Sequence, residues 1–399
     1  MQVAGRPSIL HSFIRLFSAA LCAIGLAGCA TRQVSNEVQS FDQAIVTATD
    51  ALVRQAERMP AFLAKADAKS DKRVIVLDPT LDAASGQQTV GTQYLDRAIA
   101  ERMTGNFKQI EILPFQAANL VRVHYLLAGT LARQEGSYRI NLALVDLKAG
   151  TVAAQSSAVA RADSVDMSPL AYYRDSPVLL KDEVIDGLVR TTSAAPGQKA
   201  DATYLEFIST ATVVNDATLL YNAARYREAL AQYRRAAATP AGDQIRVLNG
   251  IYLTTLKLGQ AAEAEEAFGR VVAHGIAHKQ LGVKFLFNPG TTEFWSDPKV
   301  TSAYRLWLRQ IAKQGGNAGV CMDIVGHSSK TGTEEVNNAL SLRRAIAIKQ
   351  RLAAESSEMA DRAHPKGMGA RQNLVGSGTD DVVDALDRRV EFAIVDCTR

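Results

Sequence analysis

Ile324-Val325-Gly326-His327, then Leu340-Ser341-Leu342-Arg343-Arg344-Ala345, then Asp387-Arg388-Arg389-Val390-Glu391 decide the fold of the C-terminal part of this chain. Val320 to Val325 forms an apolar, β-branched run that predicts a strand, and Gly326 permits a tight exit from it. Val336 to Ala353 predicts a helix, on which Asn337 and Arg344 lie two turns apart and share one face. Arg389 to Val395 predicts a closing strand. Upstream, Val283-Lys284-Phe285-Leu286-Phe287 predicts a strand. Pro298 to Lys313 predicts a helix whose apolar residues are Val300, Tyr304, Trp307, Leu308 and Ile311.

This order closely resembles the OmpA-like peptidoglycan-binding domain, a βαβα…β two-layer sandwich that would occupy residues 279–399. The resemblance implies a ligand, the zwitterionic end of a diaminopimelate-containing stem peptide. In the family an arginine grips its carboxylate and an acid pairs with its ammonium. Arg344 matches the arginine, Asn337 the loop asparagine, and Arg388 or Arg389 the second basic contact. The acid falls on Ser329, and a further acid at the end of the first strand falls on Asn288. Both are neutral here. Losing a charge-assisted bond costs roughly 1.5–3 kcal/mol, about one to two orders of magnitude in affinity. Glu334 and Glu335 are the loop acids that could compensate. On this reading Arg344→Ala abolishes wall binding and Ser329→Asp strengthens it. The alternative is that Arg344 and Arg388 only satisfy local carboxylates such as Asp387 or Glu391. The family's strand order would also set Cys321 across from Cys397, implying a disulfide, the alternative being two buried thiols.

The N-terminus predicts a targeting segment over residues 1–28. Arg6, His11 and Arg15 form a basic start, and Leu16 to Leu26 is apolar but too short to span a bilayer. Leu26-Ala27-Gly28-Cys29 resembles the bacterial lipobox, which implies cleavage before Cys29 and acylation of its thiol. More than one acyl chain anchors stably. Ala30, in place of aspartate, implies the outer membrane by resemblance to sorting signals. Residues 29–70 are then a lipidated N-terminus and helix, with Val38, Phe41, Ile45, Ala48 and Leu52 spaced helically from Ser35 to Lys65.

Between these ends the pattern predicts an α+β domain over residues 71–190. Arg73 to Asp78 is a strand stopped by Pro79, Thr92 to Met103 a helix, and Gln109 to Phe115 a second strand. Tyr125 to Arg133, Tyr138 to Val145 and Thr151 to Ala160 follow as a meander. The stretch Leu126 to Gln155 resembles the fold shared by the TolB N-terminal domain and the CsgG and FlgO families, all of envelope assembly proteins. Thr191 to Asp201 has the composition of a linker. Beyond it, Tyr226, Ala229, Tyr233 and Ala236 recur 35 positions on as Ala261, Ala264, Phe268 and Val271. That period resembles the tetratricopeptide repeat over residues 202–278, and two such repeats need flanking domains to bury their core.

The 399 residues carry a formal charge of +4, which falls to +2 once Arg6 and Arg15 leave with the signal. No basic run interleaved with aromatics points to nucleic acid. Ser296-Asp297-Pro298-Lys299 and Lys330-Thr331-Gly332 mimic penicillin-binding motifs but lie too close together for that fold. His274 and His278 have metal-ligand spacing without a third ligand. The expectation is therefore an α+β multidomain lipoprotein on the periplasmic face of the outer membrane, with no catalytic residue, metal or cofactor. It would bind peptidoglycan and hold envelope protein partners through its repeat and middle domains. The alternative is an interaction subunit whose OmpA-like domain no longer binds the wall.

Overall fold

The computed structural model describes residues 33–59, 62, 72–178, 181–279, 281–376, 378–380 and 383–397. Residues 1–28, Cys29 and the end of the helix expected to reach Lys65 lie outside the described residues. No described helix is long and apolar enough to cross a membrane.

The chain enters on β1 (Gln33–Gln39), which the helical reading of Ser35 onward did not anticipate. Ser40 then caps α1 (Phe41–Ala56), its side chain accepting from the Gln43 amide. β2 (Arg73–Leu77), β3 (Leu81–Asp82), α2 (Val90–Asn106) and β4 (Ile110–Leu113) lead into the meander β5 (Tyr125–Gln134), β6 (Ser137–Asp146) and β7 (Thr151–Arg161). These strands form one mixed seven-stranded sheet, ordered β1-β7-β6-β5-β2-β4 with β3 also on β5. β1 runs parallel to β7 at its edge.

Helix α1, expected to precede a boundary near residue 70, packs onto this sheet. Its face of Ala44, Ile45, Ala48 and Leu52 is buried against the sheet together with Leu95 and Ile99 of α2. Arg102 grips Asp50 with two bonds of 2.9 and 2.7 Å, tying α2 to α1. The other face of the sheet is covered by α3 (Glu183–Ser193) and the start of α4 (Ala202–Asn222). Burial on both faces explains why Leu126, Leu127 and Ala128 run without polar interruption.

The stretch expected to be a linker is packed. Thr191 and Thr192 end α3 and are buried, Gly197 and Gln198 exchange backbone bonds with Val152, and Asp201 caps α4.

α4 and α5 (Tyr226–Ala237) form one helical hairpin, α6 (Ile245–Lys257) and α7 (Ala261–Ala277) a second. The recurring positions do the same job in each: Ala229 and Ala264, Tyr233 and Phe268, Ala236 and Val271 are all fully buried. Helix α7 continues through Gly275, and the rings of His274 and His278 stack 4.0 Å apart.

The C-terminal domain contains β8 (Phe285–Leu286), α8 (Tyr304–Ala318), β9 (Cys321–Gly326), α9 (Glu334–Glu355), β10 (Ala363–Gly367) and β11 (Arg389–Val395). Its sheet is ordered β10-β9-β11-β8. β11 is antiparallel to both neighbours, whereas β10 is parallel to β9. Val395 pairs with Cys321, and a disulfide joins Cys321 to Cys397 two residues on. Helix α9 lies so close to the sheet that a Cβ on Gly326 would meet the Ser341 carbonyl oxygen at 1.9 Å. Gly326 is thus needed for helix contact more than for a turn. Hairpins and sheet share one core, where Trp307 Nε1 donates to the Tyr252 hydroxyl at 2.7 Å and stacks on Phe268.

Candidate functional site

Beyond Gly326 the chain passes through His327-Ser328-Ser329 before Thr333 caps α9 by accepting from the Val336 amide. Two cross-links fix this loop: His327 donates its N–H to the Arg389 carbonyl at 2.8 Å, and Ser328 donates to Gly369 at 3.0 Å. The candidate residues meet here.

Arg344 is fully buried. Its guanidinium donates to three carbonyls, Thr291 at 3.0 Å, His327 at 3.0 Å and Asn288 at 2.9 Å, and sits over the Phe287 ring. It thereby ties the exit of β8 and the exit of β9 to α9. Burial, and then the like charge of Arg388, pull it down to about 10, so it is a cation at neutral pH. Three bonds engage three of its five N–H donors. Asn337, one face with Arg344, is buried, and its side-chain amide makes no hydrogen bond among the described residues. Asn288 contributes mainly through its carbonyl, while its side chain accepts from the Ser296 amide at 3.2 Å.

Arg388, just before β11, and Arg389, its first residue, part company, as successive residues of extended chain do. Arg388 is buried, lies over the Trp295 ring, and donates to the Phe287 carbonyl at 3.2 Å. Arg389 instead pairs with Glu391 at 3.2 and 3.1 Å. Of the two, Arg388 is the one that meets the same carboxylate as Ser329. Arg388 does satisfy a local carboxylate, that of Asp380 at 2.8 Å, whereas the bonds of Arg344 go to carbonyls. Asp387 accepts the backbone N–H groups of Leu374, Val375 and Gly376. Glu391 sits 2.9 Å from His327 Nε2.

Ser329 is buried, and its hydroxyl donates to Asp380 at 2.7 Å. The same carboxylate accepts from Thr331 at 3.1 Å and from Arg388 at 2.8 Å. Burial raises Asp380, but those hydroxyls and the arginine outweigh it and hold the group below the ordinary carboxylate range. Glu334 and Glu335 do not fill this place. Glu334 pairs at the surface with Arg371 at 3.3 Å, and Glu335 is exposed. Sequence reasoning missed Asp380 because it arrives on the loop before β11, among several acids, with no spacing that marks it.

Among the described residues no group of three His, Cys, Asp or Glu could hold a metal ion. A cleft of about 460 Å³ opens where the three parts of the chain meet, bordered by Asp182, Gln244, His274 and Arg389. None of Arg344, Asn337, Ser329, Arg388 and Asn288 lines it.

A two-layer α/β sandwich with a polar corner at the ends of β8, β9 and β11 is the class of domain these residues build. Residues 286–385 match the model of the OmpA family, and this stretch is an OmpA family domain. Similar solved structures include the peptidoglycan-associated lipoprotein from Burkholderia pseudomallei, at 20% identity over 28% of this chain and 89% of that one, with a TM-score of 0.24. An outer membrane protein from Borrelia burgdorferi B31 is 25% identical over 28% and 85%, with a TM-score of 0.22. The periplasmic domain of Helicobacter pylori MotB is 15% identical over 28% and 68%, with a TM-score of 0.23. No curated protein matches the chain.

Proposed function

We propose that this protein is an outer-membrane lipoprotein that binds peptidoglycan non-covalently through its C-terminal domain and scaffolds an envelope assembly or secretion system. The observation that supports it most is that two buried guanidiniums, Arg344 and Arg388, both reach the exit of β8, at the Asn288 and Phe287 carbonyls. Desolvated cations of this kind attract the carboxylate of a stem peptide, and guanidinium geometry suits it. The lipobox at Leu26 to Cys29 supplies the other end of the tether. The sheet domain and the helical hairpins are the surfaces left for protein partners.

One observation favours the rival reading, a docking subunit that does not bind the wall. Arg344 has no solvent exposure and spends three donors on backbone carbonyls, as a purely structural arginine would. Co-sedimentation of the full chain in detergent with purified sacculi separates the two. On the wall-binding reading the wild type pellets, and an excess of soluble stem-peptide fragment releases it. A chain that stays in the supernatant is a docking subunit. Palmitate labelling that persists in Cys29→Ala would sink the anchor.

A further inference from the structure

We propose that Asp380 is the acid of this site: the loop before β11 delivers the carboxylate that pairs with the ligand's ammonium, replacing the acid absent from position 329. The inference rests on the wall-binding reading above.

Ser329 is not an empty substitute for an acid. Its hydroxyl is the peg on which another carboxylate hangs, 2.7 Å from Asp380 Oδ1, with Thr331 holding Oδ2 at 3.1 Å. Arg388, the residue before β11, completes the seat at 2.8 Å. Two segments thus converge on one carboxylate: the loop after β9, through Ser329 and Thr331, and the residue before β11, Arg388. Asp384 accepts the Asp380 N–H at 3.0 Å and holds that residue at φ 59°, in the left-handed region that aspartate tolerates better than most side chains.

Charge and access fit the role. An ionised carboxylate offers about four acceptor positions. The side chains of Ser329, Thr331 and Arg388 occupy three of them, and the Asp380 side chain keeps 26% of its surface exposed. An incoming ammonium therefore finds an oriented, partly desolvated anion, where a charge-assisted bond is strong. Arg344 lies close enough for Asp380 to raise its pKa, so both signs that a zwitterionic amino-acid end requires are present at one corner.

The loop bearing Asp380 is anchored from two sides. Asp387 binds the backbone N–H groups of Leu374, Val375 and Gly376. Arg133, at the end of β5, donates to the carbonyls of Val375 and Gly376, the second at 3.2 Å. The sheet domain thereby helps to place the acid.

The test compares two soluble probes, a disaccharide stem-peptide fragment ending in diaminopimelate and the same fragment with its free amine acetylated. With the full wild-type chain in detergent, the free amine should bind roughly tenfold to a hundredfold more tightly. Asp380→Asn should lose that preference, and Ser329→Asp combined with Asp380→Asn should regain it. Equal binding of both probes by wild type overturns the assignment while leaving wall binding intact, and needs no variant to fold. Tighter binding by Asp380→Asn also overturns it, because Asp380 would then be occupying the ligand's place. If wild type binds neither sacculi nor either probe, the wall-binding reading falls and this assignment with it.

Discussion

Ser329 and Asp380, 51 positions apart in sequence, meet through a hydroxyl-to-carboxylate bond of 2.7 Å. A neutral residue where the family carries an acid is thus matched by an acid where the family's pattern gave no reason to expect one. The relationship reverses the simplest engineering expectation.

Ser329→Asp, on resemblance alone, should restore the clamp. In this structure it sets a second carboxylate against Asp380. Two like charges at effective dielectric 20 repel by about 4 kcal/mol at 4 Å, so one of the pair must protonate or move. The single variant should unfold at lower temperature than wild type at pH 7, by at least about 1 kcal/mol in stability. Its deficit should shrink at pH 5, where the raised carboxylate takes up a proton. In an Asp380→Asn background the same change should carry no such deficit. Thermal unfolding at the two pH values reads both.

Arg344→Lys should cost stability before it costs binding. Lysine reaches one or two of the carbonyls of Asn288, Thr291 and His327, leaving a buried acceptor without a donor. A loss on the order of 3 kcal/mol follows, and Arg344→Ala should be worse. Urea unfolding measures it. A variant as stable as wild type would show that these bonds contribute little.

Arg133→Ala removes the hold of the sheet domain on Val375 and Gly376. It touches no candidate ligand residue. Affinity for sacculi should fall a few-fold, with little change in the unfolding midpoint, because the loop keeps its Asp387 anchor. Unchanged affinity would confine the role of Arg133 to packing.

Glu391 should make the C-terminal domain acid-labile. Burial alone would raise it, but His327 Nε2 at 2.9 Å and the charge of Arg389 bring it to about 2. A carboxylate depressed on folding contributes stability that is fully present above its unfolded value, near 4.5, and lost as pH falls toward 2. The contribution is on the order of 3 kcal/mol. Glu391→Gln should flatten the stability profile between pH 5 and 2, as read from urea midpoints.

What the sequence revealed, and what it concealed, follows from the range of each signal. The meander β5-β6-β7 and the closing strand β11 were legible because apolar runs broken by glycine turns are local. β10 was not, because Pro365 argues against a strand. It is accepted here since β10 is an edge strand, where a missing N–H leaves no ladder bond unmade. β1 escaped because Gln33-Val34-Ser35-Asn36-Glu37-Val38-Gln39 has little apolar alternation and owes its form to pairing with β7. At the site, Arg344 and Asn337 were marked by a two-turn spacing on one helix. The choice between Arg388 and Arg389 needed the strand register. Asp380 needed the folded loop itself.

The aromatic interface of Tyr252, Phe268 and Trp307 has a mechanical consequence. Helical hairpins and helix α8 of the C-terminal domain meet through interlocked rings and two hydrogen bonds from Arg309 to Glu265. Tension applied at the corner of Arg388 and Asp380 would therefore travel as shear through this joint into the helices. On the proposed wall-binding reading the joint would act as a strut, and a partner seated on the hairpins would move with the wall.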